Sequence, residues 1–386
     1  MAYTKVKPLM VASFPSSRLT GAFGAISGAS LTGLGDGVDT KSASSNPVVN
    51  TNPAAVGHTW LNKTSGEMFI CTDATSNENI WINIGSGVYS VYTYQGTQFG
   101  YHAGGQGGPF NPAGHVIERY PFASDGNSVD IGNLASGPTT NCWGGKSITH
   151  GYCQGQNTAV GAAGAKDVQK YSFASNANGV SVGTLNHGRY GGIEASSETH
   201  VYSAGGDGST GDNKIEKIQS YSDSDGINVG DLLMNVWYAG GSSSATHGFT
   251  AGGYPTTNVI QKYSFSTDGN ATDVGDTAVT TRDRCGGSSK THGYVVGGYP
   301  NNNQMSKWAF ASQGNSTDVG DLTTQGDMLT PSSSTTHGYC GGGRSYGGTP
   351  QGNQQIQKYS FASDGNATNC GSLTVIKQEQ GAGSQV

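Results

Sequence analysis

One phrase recurs along most of this chain, and its spacing decides what the chain can fold into. It reads THGYCQG at 149–155, THVYSAGG at 199–206, THGFTAGG at 246–253, THGYVVGG at 291–298 and THGYCGGG at 336–343, with an altered copy, TQFGYHAGG, at 97–105. The His positions, with Phe99 standing in for the first, lie 51, 50, 47, 45 and 45 residues apart along Phe99, His150, His200, His247, His292 and His337. Self-similarity at a period of about 45–50 residues is the mark of a propeller, solenoid or array.

Each repeat holds four short strand candidates. The fourth shows them best: Gly240–Ala245, Thr246–Gly253, Val259–Phe265 and Ala271–Gly275, with Asp268-Gly269-Asn270 as a tight turn between the last two. Four antiparallel strands per repeat are the content of a propeller blade. An aromatic in the third strand (Tyr120, Tyr171, Tyr221, Tyr263, Trp308, Tyr359) and a Gly in the fourth (Gly132, Gly183, Gly230, Gly275, Gly320, Gly371) recur in all six repeats. The aromatic-to-Gly distances are 12, 12, 9, 12, 12 and 12 residues. Residues 380–386 correspond to the first strand of another repeat, and the prediction is that they complete the first blade and so remove an open sheet edge.

Composition supports short strands joined by turns. There are 63 Gly and 35 aromatic residues, and only 12% of residues are charged. A net charge of −6 with six Arg and no basic run argues against nucleic acid as the main partner. The six Cys residues have neither framework nor zinc spacing and read as small buried apolar residues. The first 17 residues lack the apolar run of a secretory leader. The five recurring His residues would be spread around a ring, too far apart to share a metal ion, and read as structural. No Gly-rich phosphate loop and no G-x-S-x-G elbow occurs, and no catalytic residue, metal or cofactor is assigned.

Ahead of the repeats, residues 1–57 read as an extended arm, rich in small residues with Pro8, Pro15, Pro47 and Pro53. Residues 58–86 alternate apolar and polar side chains around Thr64-Ser65-Gly66 and read as a small β module of three strands. The run from Trp60 through Asn62, Thr64-Ser65-Gly66-Glu67, Phe69 and Cys71-Thr72-Asp73-Ala74-Thr75 to Trp81 and Asn83-Ile84-Gly85 resembles a β module of bacteriophage tail and fibre proteins. Leu19–Leu34 resembles the linkers of such fibres. Over residues 87–386 the HGY-x-x-GG strand, the following strand with its aromatic and the Gly-bearing strand after it resemble kelch-type propellers, with Arg189 and Arg282 or Arg284 in the kelch position.

The expectation is therefore an all-β chain: a six-bladed kelch-like β-propeller behind an extended N-terminal arm and a small β module. Length varies most in the loops between second and third strands, which in a propeller share one face. Those loops carry the candidate ligand-binding residues Phe110, Asn111, Asp207, Asp212, Arg344, Tyr346 and Gln351. The resemblance implies a virion protein assembled in the host cytoplasm. Its partners would be other virion subunits, docked through residues 1–57, and a host-surface glycan or protein, with the chain itself a homo-oligomer in the particle. A decoration protein without receptor, or a glycan-cleaving enzyme, are the alternatives.

Overall fold

The computed structural model describes residues 40–85, 94–105, 114–136, 141–155, 166–207, 213–344, 352–377 and 381–384. Every regular element among them is a strand. The chain divides into two units, Met1–Val91 and Tyr92–Val386.

The first unit holds one sheet of four strands, Thr40–Ala43, Thr59–Asn62, Met68–Asp73 and Ile80–Gly85, in that order. Three were expected. The additional strand, Thr40–Ala43, lies within the stretch read as arm and pairs in parallel with Thr59–Asn62. A lone parallel edge strand has no hairpin partner beside it in sequence, so no local turn signal announces it. The Thr64–Gly66 turn forms as expected: Asn62 Oδ1 accepts the N–H groups of Thr64 and Ser65 at 2.8 and 3.1 Å, and Gly66 takes a φ of +71°. Trp60 and Trp81 meet edge to face, 6.0 Å between centroids.

The second unit is propeller-like, built of small antiparallel sheets. Sheet two holds His150–Gln154, Asp167–Ser172 and Val180–Thr184; sheet three Ile193–Ser196, His200–Ala204, Lys214–Gln219 and Ile227–Asp231. Sheet four is Gly240–Ser243, His247–Ala251, Val259–Ser264 and Thr272–Asp276; sheet five Cys285–Ser288, His292–Gly298, Asn302–Ala309 and Thr317–Asp321. Sheet six is Thr330–Ser333, His337–Gly341, Gln355–Ser360 and Thr368–Ser372. Sheet one draws on both ends of the unit: Gly381–Ser384 pairs antiparallel with Phe99–Ala103, followed by Val116–Pro121 and Val129–Asn133. The C-terminal residues thus complete the first sheet, as the repeat spacing predicts. In sheet two the inner position is taken by two bridges, Trp143 to Gln154 and Lys146 to Gly151.

Two sets of hydrogen bonds tie the sheets into a closed cycle. On the inner strands, the N–H groups of Lys146, Ser196, Ser243, Ser288 and Ser333 donate to the hydroxyls of Ser196, Ser243, Ser288, Ser333 and Ser384, at 2.8–3.2 Å. Lysine offers no acceptor at the sixth place, so Lys146 Nζ instead donates to the Ser384 carbonyl at 3.0 Å. At the rim, each fourth strand leans on the turn of the next sheet. The N–H groups of Asn133, Thr184, Asp231, Asp276, Asp321 and Ser372 donate to the side chains of Asn178, Asp225, Asn270, Asn315, Asn366 and Asn127. The recurring fourth-strand Gly serves this contact: a Cβ on Gly230 or Gly371 would lie 2.1 Å from a turn carbonyl.

Aromatic rings fill the wedges between sheets. Tyr101, Tyr202, Phe249, Tyr294 and Tyr339 from second strands meet Phe173, Phe265, Phe310, Phe361 and Phe122 of the next sheet, with centroids 4.7–5.1 Å apart. Such pairs add about 0.5–1.5 kcal/mol beyond burial. The recurring third-strand aromatic lies across the Gly of the His-Gly pair: Cβ atoms on Gly151, Gly248, Gly293 and Gly338 would fall 2.2–2.4 Å from Tyr171, Tyr263, Trp308 and Tyr359.

The third repeat corrects the sequence reading. Tyr221 lies beyond its strand and is 71% exposed. The position paired with the second-strand Gly is taken there by Ile218, opposite Val201. A side chain on the second strand removes the room for a ring, so a shorter aliphatic replaces it. Measured from Ile218, the distance to Gly230 becomes the 12 residues of the other repeats. Ile218→Tyr alone is expected to destabilise by about 1–3 kcal/mol through overpacking. The double change V201G/I218Y should recover most of that loss, as denaturant melts of the cycle would reveal.

The recurring His residues are half-buried. The ring Nδ1 of His150, His200, His247, His292 and His337 lies 2.8–2.9 Å from the hydroxyl of the preceding Thr. All six Cys residues are buried and free.

Candidate functional site

The inner strands begin, and the second strands end, at one end of the sheets, and the strand ends are bridged there. The bridges pair Tyr190 with Asp207, Trp237 with Tyr254, Arg282 with Tyr299 and Asp327 with Arg344. The loops of variable length follow the second member of each pair. This end therefore carries the loop face, and the bridges set a belt of aromatic and charged side chains around it. Trp237 and Tyr254 are in contact, 4.9 Å between centroids. The Arg282 guanidinium lies over both Tyr254 and Tyr299, 4.9 and 4.4 Å from their centroids, an arrangement that adds about 0.5–1 kcal/mol at a half-exposed site.

Inside the belt the backbone turns sharply. Asn141, Gly191, Tyr238, Asp283 and Met328 stand at one repeat position, five residues before Lys146 and the Ser residues of the inner cycle, and all take φ values of 53–61°. Asn and Gly tolerate this left-handed conformation, whereas Tyr238 and Met328 hold it at a cost of about 1–3 kcal/mol each. The packing enforces it: Gly191 N–H donates to the Asn141 carbonyl at 3.3 Å, Tyr238 N–H to Gly191 at 2.9 Å and Met328 N–H to Asp283 at 3.0 Å. Strained residues of this kind cluster where a structure recognises something.

These residues surround a small pocket of about 80 Å³, open to solvent on one side. Its lining includes Asn141, Trp143, Glu194, Tyr238, Asp283, Arg284 and Met328. Tyr238 donates its hydroxyl to Asn141 Oδ1 at 3.2 Å. Two lining carboxyls are displaced. Burial pushes Glu194 up to about 7, against the Tyr94 hydroxyl that donates to it at 2.8 Å and the Gly144 N–H. Burial, with the Asp327 charge beside it, pushes Asp283 up to about 6. Burial likewise lowers the Arg284 guanidinium to about 10. Perturbed groups gathered in one pocket mark a candidate site.

Of the residues singled out from sequence, Asp207 and Arg344 lie on this face, and both are engaged by their own unit. Asp207 accepts the Tyr190 hydroxyl. Arg344 grips Asp327 with both Nε and Nη2, at 3.0 and 2.8 Å, and stands 3.8 Å from Asp283. Their role is to hold the belt. Phe110, Asn111, Asp212, Tyr346 and Gln351 lie outside the described residues. Sequence reasoning passed over Tyr254, Asp283 and Tyr299. A signal for two of them was present: the double Gly is followed by Tyr-Pro at 254–255 and again at 299–300.

No protein-family model and no curated protein matches the chain.

Proposed function

We propose that this chain is a phage virion protein of the tail or fibre. In this reading its second unit is a six-bladed kelch-like propeller that binds a host-surface receptor through the loop face, and the residues ahead of it dock on the particle. The resemblance of residues 19–34 and 60–85 to phage fibre segments supports the virion assignment. Six sheets joined into one hydrogen-bonded cycle support the blade count. The observation that carries the binding role is the belt itself: Trp237, Tyr254, Arg282 and Tyr299 lie on the face whose loops vary in length, and Trp237 and Arg282 directly precede Tyr238 and Asp283 of the pocket. Aromatic and Arg side chains at a strained, half-exposed rim are the composition of recognition surfaces.

Labelled full-length protein should bind cells of the host bacterium. W237A/Y254A should weaken that binding at least tenfold with little change in melting temperature. Tyr221→Ser, past the opposite end of the third strand, should bind as the unaltered chain does. Equal binding by W237A/Y254A would refute the assignment of this face.

A further inference from the structure

Asp283 is the feature of the pocket that the framework leaves unexplained. Its carboxylate is 2% exposed, and no described residue donates a hydrogen bond to it. Oδ2 stands 3.9 Å from Arg282 Nε and 3.8 Å from Arg344 Nη2, beyond hydrogen-bond reach, and Oδ1 has no partner. Two more lining residues share this condition. Trp143 Nε1, and Nε and Nη2 of Arg284, are buried with no acceptor among the described residues. Leaving a buried polar group without a hydrogen bond costs about 1–3 kcal/mol, more for a charged one. Such groups are rare in native structures and each calls for a reason.

What would satisfy them is narrowly defined. Asp283 accepts only, whereas Trp143 and Arg284 donate only. A partner serving all three within one pocket must both donate and accept, as hydroxyls and amides do. Charge narrows it further. Asp283 and Asp327 stand beside Arg282 and Arg344, and Glu194 and Arg284 line the same pocket, so like and unlike charges balance. Among the lining groups an anionic ligand would meet Asp283 and Glu194 and a cationic one Arg284, with Arg282 and Arg344 within 4 Å of Asp283. Tyr238 adds a ring that suits an apolar face to the lining.

We infer that this pocket binds an uncharged sugar residue, with adjacent hydroxyls donating to Asp283 and sugar oxygens accepting from Trp143 Nε1 and Arg284. The inference rests on reading the loop face as a recognition surface and names the chemistry its central pocket selects.

Saturation-transfer NMR on the full chain, with methyl glycosides of glucose, galactose and mannose, tests it, using methyl glucosaminide and glucuronate as charged counterparts. At least one neutral glycoside should bind in preference to both charged sugars. D283N, which keeps the shape, should weaken it tenfold or more with its melting curve retained; W143F, which shortens a buried ring, should weaken it several-fold and melt somewhat lower. Should D283N fail to fold, Y238A, which removes the ring offered to the sugar, carries the test and should weaken binding several-fold. Absence of binding by every neutral glycoside, preference for a charged sugar, or binding undiminished in the variants overturns the inference. If the chain binds host cells while no glycoside binds, the sugar pocket is refuted and the receptor role stands. If glycosides bind as expected while host cells do not, the pocket stands and the receptor role is refuted.

Discussion

Gly286→Ala is expected to destabilise the second unit by about 3 kcal/mol, the upper end of the usual cost of overpacking. A Cβ there would lie 1.9 Å from the Gly241 carbonyl oxygen and 2.6 Å from its nitrogen. Both atoms belong to the backbone of the neighbouring inner strand, so no side-chain rotation relieves the contact. The strands would have to part, and the hydrogen bond from Ser243 N–H to the Ser288 hydroxyl, at 2.8 Å, would lengthen with them. Gly269→Ala is the matched control. Nothing lies within 4 Å of its Cβ position, and the change should be neutral, or stabilising by up to about 1 kcal/mol through the unfolded chain. A G286A protein as stable as G269A in urea would show that the inner strands are not in backbone contact.

The second large effect concerns a buried ion pair. Glu118 Oε1 and Lys377 Nζ lie 2.7 Å apart, both fully buried. Glu118 Oε2 also accepts the Thr374 N–H at 2.6 Å and the Ser128 hydroxyl. Lys377 thereby fastens the segment that leads into the last strand of sheet one. Removing one partner leaves the other charged and dry, so Glu118→Ala or Lys377→Met should each cost about 3–5 kcal/mol. The double variant E118L/K377M should lie well above the sum of the two losses, because it strands no charge. Burial alone would raise the Glu118 carboxyl, but the Lys377 ammonium and the accepted hydrogen bonds hold it below its ordinary value of 4.5. Its contribution is therefore complete above about pH 4.5 and is lost as pH falls through the lower folded value. Thermal melts from pH 6 down to pH 3 should show a fall in stability that E118L/K377M lacks. Single variants as stable as the unaltered chain would dismiss the pair as a fastening.

The repeat was legible because its rules are local. His150 and its counterparts, the double Gly and the tight turns all stand at fixed offsets, so strand positions and the place of the last strand followed from spacing. The third repeat misleads where identity and distance disagree: Tyr221 is an aromatic, but its nine-residue gap to Gly230 breaks the pattern that Ile218 keeps. The Ser cycle was visible as letters, at 196, 243, 288 and 333, but its meaning needs neighbouring sheets, which no stretch of sequence contains. The candidate site was half-legible for the same reason. Loop length pointed, through Asp207 and Arg344, to the face that carries the bridged belt. The pocket itself is assembled from single residues of separate sheets, such as Trp143, Tyr238 and Asp283, and only the closed cycle brings them together.

Sheet one has a consequence for how the protein comes into being. Gly381 pairs with Ala103, across nearly the whole unit, and a contact so distant in sequence forms slowly. As the chain leaves the ribosome, the middle sheets can stack one upon another in order of synthesis, while Phe99–Ala103 waits with a bare flank until Ser384 has been made. During that interval the nascent protein offers an open strand to any neighbour, its own siblings included. The last strand to be made is thus the one that hides the edge of the first sheet.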